Sequence, residues 1–229
     1  MLAGHIGAGL ALKSADRRVN LGALLAAALF PDLLLWTFVL AGWETVVVPA
    51  DYASKRYLTF VFPFSHSLAA SVVWSGLAAG AAAAALGRRF PRRGRAAAVV
   101  GAAVFSHFLL DAAVHVPGLP LAGPKSAKIG LGLWTDMPLA LAVEIAVTAV
   151  GLRLCLRRSQ WSPRRRAGLW ALAVAVALMT GLGPYAAASP PAPEVLAASG
   201  LATIGAIVAA GFFLEGRFGL ARESFGGSL

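Results

Sequence analysis

The 229-residue chain is 59% hydrophobic and only 13% charged, with a mean hydropathy of +0.75. A soluble domain typically carries about 25% charged residues, and here the charges cluster between uninterrupted apolar stretches of about 17–25 residues, the length that crosses a bilayer. The net charge of +10 sits in short loops that leave no folded basic domain to grip nucleic acid, so topology and lipid contact account for it.

In chain order, residues 2–12 are apolar but too short to span, and the charged segment "KSADRR" follows. The stretch contains His5 and lacks the basic-then-apolar-then-cleavage order of a signal peptide. Residues 21–41 form the first long apolar run, with Asp32 inside it and Glu44 just beyond. The wetter "WETVVVPADYASKRY" leads to a second run at 60–86, then "GRRFPRRGR", then a third run at 96–116. A Pro/Gly-rich surface loop, "VPGLPLAGPKSAKIG", precedes the fourth run at 130–152. After "RLCLRRSQWSPRRR" come runs at 168–187 and 195–214, split by "SPPAPE", which cannot continue a helix. The single Cys155, beside arginines, is neither half of a disulfide nor part of a thiol motif.

The expected fold is an all-α polytopic membrane protein of about six transmembrane helices plus a short N-terminal apolar helix or re-entrant segment. Basic clusters fall on alternate loops, "KSADRR", "GRRFPRRGR", "RLCLRRSQWSPRRR" and the tail, whereas the opposite loops carry only Lys55, Arg56, Lys125 and Lys128. The excess of Lys and Arg on cytoplasmic loops then places both termini in the cytoplasm. The chain reads as one integral-membrane domain, with polar residues concentrated in 1–152 and a supporting hairpin at 168–214.

An ionisable residue inside a span is a functional hypothesis by default, because leaving it unpaired in hydrocarbon is expensive. At about 1.5 Å per helical residue, Asp32, His107 and Asp111 come out roughly 16–22 Å from the cytoplasmic face, Glu144 about 20 Å down from the outer face and nearer mid-membrane, and His5 is lifted about 12 Å from Lys13. His66 opens the second run and so lies at a similar height. In "HFLLDAAVH", spacings of four put His107, Asp111 and His115 along one helical face. A His-x-x-x-Asp pair lets one helix present a nitrogen and an oxygen to a metal, although a His–Asp hydrogen bond in a core has the same spacing. His115 stands at the outer boundary, where an interfacial histidine is equally at home.

His66 lies in "PFSHSL", with Pro63 readable in a first helical turn, Ser65 as a helix cap, and Ser65 or Ser67 as the hydroxyl that orients the imidazole. Asp32 follows Pro31, a proline-loosened carboxylate suited to ligation or to base catalysis. Glu44 and Asp136 lie nearer the outer surface and read best as solvent-facing, with Glu44 the candidate to support a ligand. Glu144 is too deep for solvent and reads as a proton relay or general base. The candidate metal ligands are therefore His5, Asp32, His66, His107, Asp111 and His115, the catalytic acids Asp32 and Glu144, and the supporting residues Glu44 and Ser67.

Three histidines with carboxylates suit a divalent zinc ion first, and manganese or iron as alternatives, because imidazole selects borderline ions over magnesium. Such an ion lowers the pKa of coordinated water and polarises a phosphoryl or carbonyl oxygen, with a spare carboxylate as base. The sequence holds no HExxH, and "GHIGAG" lacks the lysine and strand–turn–helix context of a phosphate cradle.

The set "GHIGAG", "PD" at 31–32, "AGWE", "PFSHSL", "SHFLLDAAVH" and "GLGLW" resembles a bacterial family of small integral-membrane proteins known as membrane-bound metal-dependent hydrolases, of largely unknown function. The resemblance spans about residues 1–145 and implies a multi-pass protein of the bacterial inner membrane with a hydrolytic site. Better-described members carry a second acid where this chain has Leu34 and a further histidine where it has Val61, so a binuclear centre built on them would lack ligands here. A single metal, or a site rearranged around Glu44 or Glu144, fits this chain better.

The first functional expectation is hydrolysis of a lipid-linked or membrane-proximal phosphoester, or another ester, near the outer leaflet, with membrane lipids and a lipid-like substrate as partners and no nucleic acid. Proton- or metal-ion-coupled transport is the alternative, but the polar residues concentrate in the first four runs without the matched broken helices of an inverted repeat. A non-catalytic scaffold is a third class. Substrate, oligomeric state and metal identity stay open at this level.

Overall fold

The computed structural model describes residues 1–88, 90, 92–157 and 159–216; most of the predicted basic tail, with Arg158, lies outside them. Helix α1 (Leu2–Ala15) is followed by a bent pair, α2 (Leu21–Ala28) and α3 (Phe30–Leu40). A loop segment holds strand β1 (Thr45–Val47), the single turn α4 (Tyr52–Lys55) and strand β2 (Thr59–Val61). The long helices α5 (Leu68–Leu86) and α6 (Arg93–Val114) come next. A second loop pairs β3 (Leu119–Pro120) with β4 (Lys128–Ile129), and α7 (Met137–Arg157), α8 (Pro163–Leu182) and α9 (Pro193–Glu215) complete the described chain. Among these residues five helices, α5 to α9, are long and apolar enough to cross a membrane, and α2 with α3, bent by 53°, makes a sixth span if counted as one. The protein is a polytopic helical membrane protein.

Two runs start later than their hydropathy suggests. Residues 59–61 pair antiparallel with 45–47, so the second span is helical only from Leu68, capped by Ser67 accepting from the Ala70 N–H. The fourth begins at Met137, because Gly130 and Gly132 adopt positive φ and a 3-10 turn over Leu133–Thr135 intervenes. Apolar composition registered the depth of both segments, but glycine and strand pairing set their backbone. Pro63 consequently lies in a turn before α5, not in its first helical turn.

Helix α1 is the innermost element. Its 14 residues extend only about 21 Å, yet Ala3, His5, Ile6, Gly7, Gly9 and Leu10 are all buried. Small residues admit it: a Cβ on Gly7 would stand 2.7 Å from the Val147 carbonyl oxygen, and one on Gly151 would collide with the carbonyl of Gly7. This is the close backbone approach by which helices pack where no hydrophobic force distinguishes protein from lipid. Gly22 and Gly211 bring α2 and α9 together similarly, a Cβ on Gly211 falling 2.9 Å from the Gly22 Cα.

The basic loops share one end of the bundle. Arg95 Nη2 donates to the Ala15 carbonyl at 2.7 Å, Arg18 lies over Phe90, and Lys13 pairs with Glu215 while donating to the Arg17 and Val19 carbonyls. Arg18 also binds Asp16, and that hydrogen bond holds the Asp16 carboxyl below its ordinary pKa. At the other end the β-paired loops meet, with Tyr57 stacked on Trp134 and the Ala69 N–H donating to Leu121.

Gly151→Ala is expected to destabilise the bundle by at least the roughly 1–3 kcal/mol typical of overpacking. Gly76→Ala, where an added Cβ meets nothing within 4 Å, serves as the control. Thermal unfolding of the detergent-purified variants should show a lowered midpoint for the first and wild-type behaviour for the second.

Candidate metal centre

The centre begins with Pro31. Its ring cannot extend α2 through to α3 without clashing one turn back, and the chain bends at Leu29. Asp32 then falls in the first turn of α3, aimed inward. At the same bend the Ala28 carbonyl accepts a hydrogen bond from His107 Nδ1 at 2.8 Å. One proline thus supports both a carboxylate and the anchor of a histidine carried by α6, as membrane helices re-satisfy freed backbone groups on their neighbours.

His66, ahead of α5, is anchored differently. Glu44, read from sequence as solvent-facing, is only 2% exposed. Its Oε1 accepts the backbone N–H groups of Phe64 and Ser65 at 2.8 and 2.9 Å, and its Oε2 accepts the Ser65 hydroxyl at 2.6 Å. Ser65 Oγ lies 2.7 Å from His66 Nδ1. With the hydroxyl proton given to the carboxylate, Ser65 accepts from Nδ1–H. Of the two serines offered by the sequence reading, Ser65 orients the imidazole, and the helix cap expected of Ser65 is supplied by Ser67 instead.

These anchors dictate the tautomers. A carbonyl oxygen can only accept, so His107 carries its proton on Nδ1, and Ser65 imposes the same on His66. In the neutral rings each Nε2 then presents a lone pair, and the two atoms face one another at 3.1 Å. Carboxylate oxygens join them: Asp32 Oδ1 is 3.5 Å from each Nε2, and Asp111 Oδ2 is 3.5 Å from His66 and 3.4 Å from His107. Donors about 2.0–2.1 Å from a shared zinc ion at a tetrahedral angle stand roughly 3.3–3.4 Å apart. The separations match those of atoms that share one cation, and without a cation or a shared proton every contact is lone pair against lone pair.

His5 stacks on His107 with centroids 3.5 Å apart and planes 8° from parallel. Its Nε2 lies 3.2 Å from Asp111 Oδ1 without hydrogen-bond alignment, and neither ring nitrogen nor that oxygen has a hydrogen-bond partner. Two overlapping groups able to hold a metal result, His5 with Asp32 and His107, and His66 with His107 and Asp111. The residues present fit a divalent ion by their donor chemistry and by these orphaned atoms.

His115 belongs to neither group. Helix α6 ends at Val114, and the His115 ring packs against Trp134 and Phe62, with Nε2 3.7 Å from Asp111 Oδ2. Glu144, on α7, is 3% exposed and lies beside the start of α1, while its Oε2 has no hydrogen-bond partner. Asp136 caps α7 at its Leu139 N–H. Leu34 and Val61 lie outside both groups.

A cavity of about 440 Å³ opens above the cluster, reaching Asp32, His66, Asp111, His115 and Glu144. Its wall includes Met179 and Thr180 of α8 and Leu196, Gly200 and Thr203 of α9, so the C-terminal hairpin encloses the site as well as supporting the bundle. Sequence reasoning missed this wall, whose residues are apolar or small, and missed the Ala28 carbonyl, which no side-chain pattern signals. Comparison with protein-family models, curated proteins and solved structures finds no match for the chain.

Ser65→Ala is expected to weaken divalent-metal affinity by roughly 10–100-fold, the usual consequence of removing a partner that orients a ligand. Ser67→Ala should instead cost about 1 kcal/mol through the lost cap and leave metal affinity unchanged. Competition with a fluorescent chelator and thermal unfolding separate the two.

Proposed function

We propose that the chain is a metal-dependent hydrolase of a bacterial inner membrane, with both termini cytoplasmic, and that it cleaves a lipid-linked or membrane-proximal phosphoester, or another ester, near the outer leaflet. The observation that carries this reading is the pair of Nε2 atoms facing each other at 3.1 Å between two carboxylates, at the floor of a cavity large enough for substrate. The resemblance to the membrane-bound metal-dependent hydrolases supports it, as does the placement of the site toward the end opposite the basic loops.

His66, His107, Asp111 and Asp32 are the proposed ligands, with His5 completing the overlapping group and His115 held in reserve at the rim. Zinc is preferred, and manganese or iron suits the same donors. When bound, the ion supplies Lewis acidity toward a phosphoryl or carbonyl oxygen and activates water. Asp32, whose side chain is 20% exposed against 2% for Asp111, is the carboxylate that meets substrate and orients the attacking water. Glu144 Oε2, buried and unpartnered beside the same cavity, takes up the proton released in the attack. Glu44 acts through Ser65 to hold His66 in the ligating tautomer.

Metal content of wild type, His66→Ala, His107→Ala and Asp111→Ala, measured by elemental mass spectrometry on protein purified without chelator, tests the proposal. Near-stoichiometric zinc, manganese or iron is expected in wild type and should be lost in all three variants. A folded wild type that holds none of these metals when offered each would overturn it, and the cluster would then be a proton path or a packing device.

A further inference from the structure

The cavity has a charged group at its mouth that the chemistry at its floor does not use. Arg56 lines it, partly buried, together with Tyr52, Tyr57 and Trp134. Its guanidinium lies over the Tyr185 ring at 5.5 Å, and Nη1 donates to the Ala187 carbonyl at 3.2 Å and reaches the Pro184 carbonyl at 3.5 Å. These partners hold the side chain but do not neutralise it. The nearby Asp51 is taken by Lys55, at 3.0 Å, and among the described residues no carboxylate pairs with Arg56.

The backbone points the same way. Arg56 ends α4 in a left-handed conformation, with φ of 61°, which fixes where its side chain leaves the loop. Below it, Leu35 and Trp36 of α3 and Leu196 and Ile204 of α9 line an apolar wall. Ser199 and Met179 line the same cavity and are exposed at the surface of the bundle, which at the depth of spanning helices is lipid. A space with a fixed guanidinium at an aromatic rim, an apolar flank open to hydrocarbon and carboxylates at its floor is shaped for an anionic amphiphile. A neutral one would leave the Arg56 charge unanswered, and a free anion would leave the apolar wall empty.

We infer that Arg56 and the α3–α9 wall form a recognition site for a phosphate-bearing lipid, which enters from the bilayer with its headgroup on the guanidinium and its chain between α3 and α9. The inference names the substrate class of the proposed hydrolytic site and rests on that reading only for what happens after binding.

The test titrates detergent-purified protein with 1-oleoyl-lysophosphatidic acid, monooleoylglycerol, oleoyl-lysophosphatidylcholine and inorganic phosphate, reading bound lipid by native mass spectrometry and metal content on the same samples. Wild type is expected to prefer the anionic lysolipid over monooleoylglycerol by about tenfold or more, as a hydrogen-bonded charge contributes. Arg56→Gln should abolish the preference, Arg56→Lys should retain part of it, and Ser199→Trp should weaken every amphiphile by narrowing the wall. Equal affinity for neutral and anionic lipids in wild type, or an unchanged preference in Arg56→Gln, overturns the inference. Full competition by inorganic phosphate alone overturns the lipid assignment in favour of a free anion. A wild type that retains metal but shows no anionic preference removes this inference alone. A preserved preference in a protein that binds no metal removes the hydrolytic reading and leaves the lipid site standing.

Discussion

The architecture depends on one constraint: carboxylates and imidazoles placed inside a bilayer must find one another, because hydrocarbon gives them no other partner. His5 arrives on α1, Asp32 on α3, His66 on the turn before α5, and His107 with Asp111 on α6. Four segments distant in sequence converge on a few ångströms of space. The bend at Leu29, the buried capping of His66 by Ser65 and Glu44, and the deep insertion of α1 all serve that convergence.

Rigidity at the cluster comes from groups that do not reach the cation site. The Ala28 carbonyl and the Ser65 hydroxyl each hold one Nδ1, and Glu44 is held in turn by two backbone amides. In the neutral rings, lone pairs facing each other at 3.1 Å are costly in a low-dielectric interior unless a cation or a shared proton lies between them. The Gly7–Gly151 approach belongs to the same design: it seats α1 deeply enough for His5 to stack on His107. Glu144, buried beside the start of α1, lines the cavity with its Oε2 unpartnered.

The cavity divides labour between the two ends of the chain. Polar residues of the first 152 positions make its floor, while α8 and α9 contribute an apolar flank that composition alone presents as lipid-facing support. Arg56, in a loop that sequence reading treats mainly as a topological marker, stands at its rim. A hydrophobic side chain facing lipid and one facing an apolar cavity have the same composition, so the distinction is invisible until the helices are packed.

The sequence alone determined the polytopic class, the approximate spans, the basic end and the polar candidates, because span length, charge clustering and the cost of intramembrane charges are local properties read one segment at a time. The i,i+4 spacing of His107 and Asp111 likewise follows from helical geometry. Tertiary structure decided the rest. It set Ser65 rather than Ser67 against His66, buried Glu44, removed His115 from the metal-holding groups, started α5 at Leu68 and α7 at Met137, and made the last two helices a wall. Those outcomes depend on which helix lies beside which and on the tautomer each anchor imposes. Both are properties of contacts between distant segments, and no periodicity within one segment encodes them.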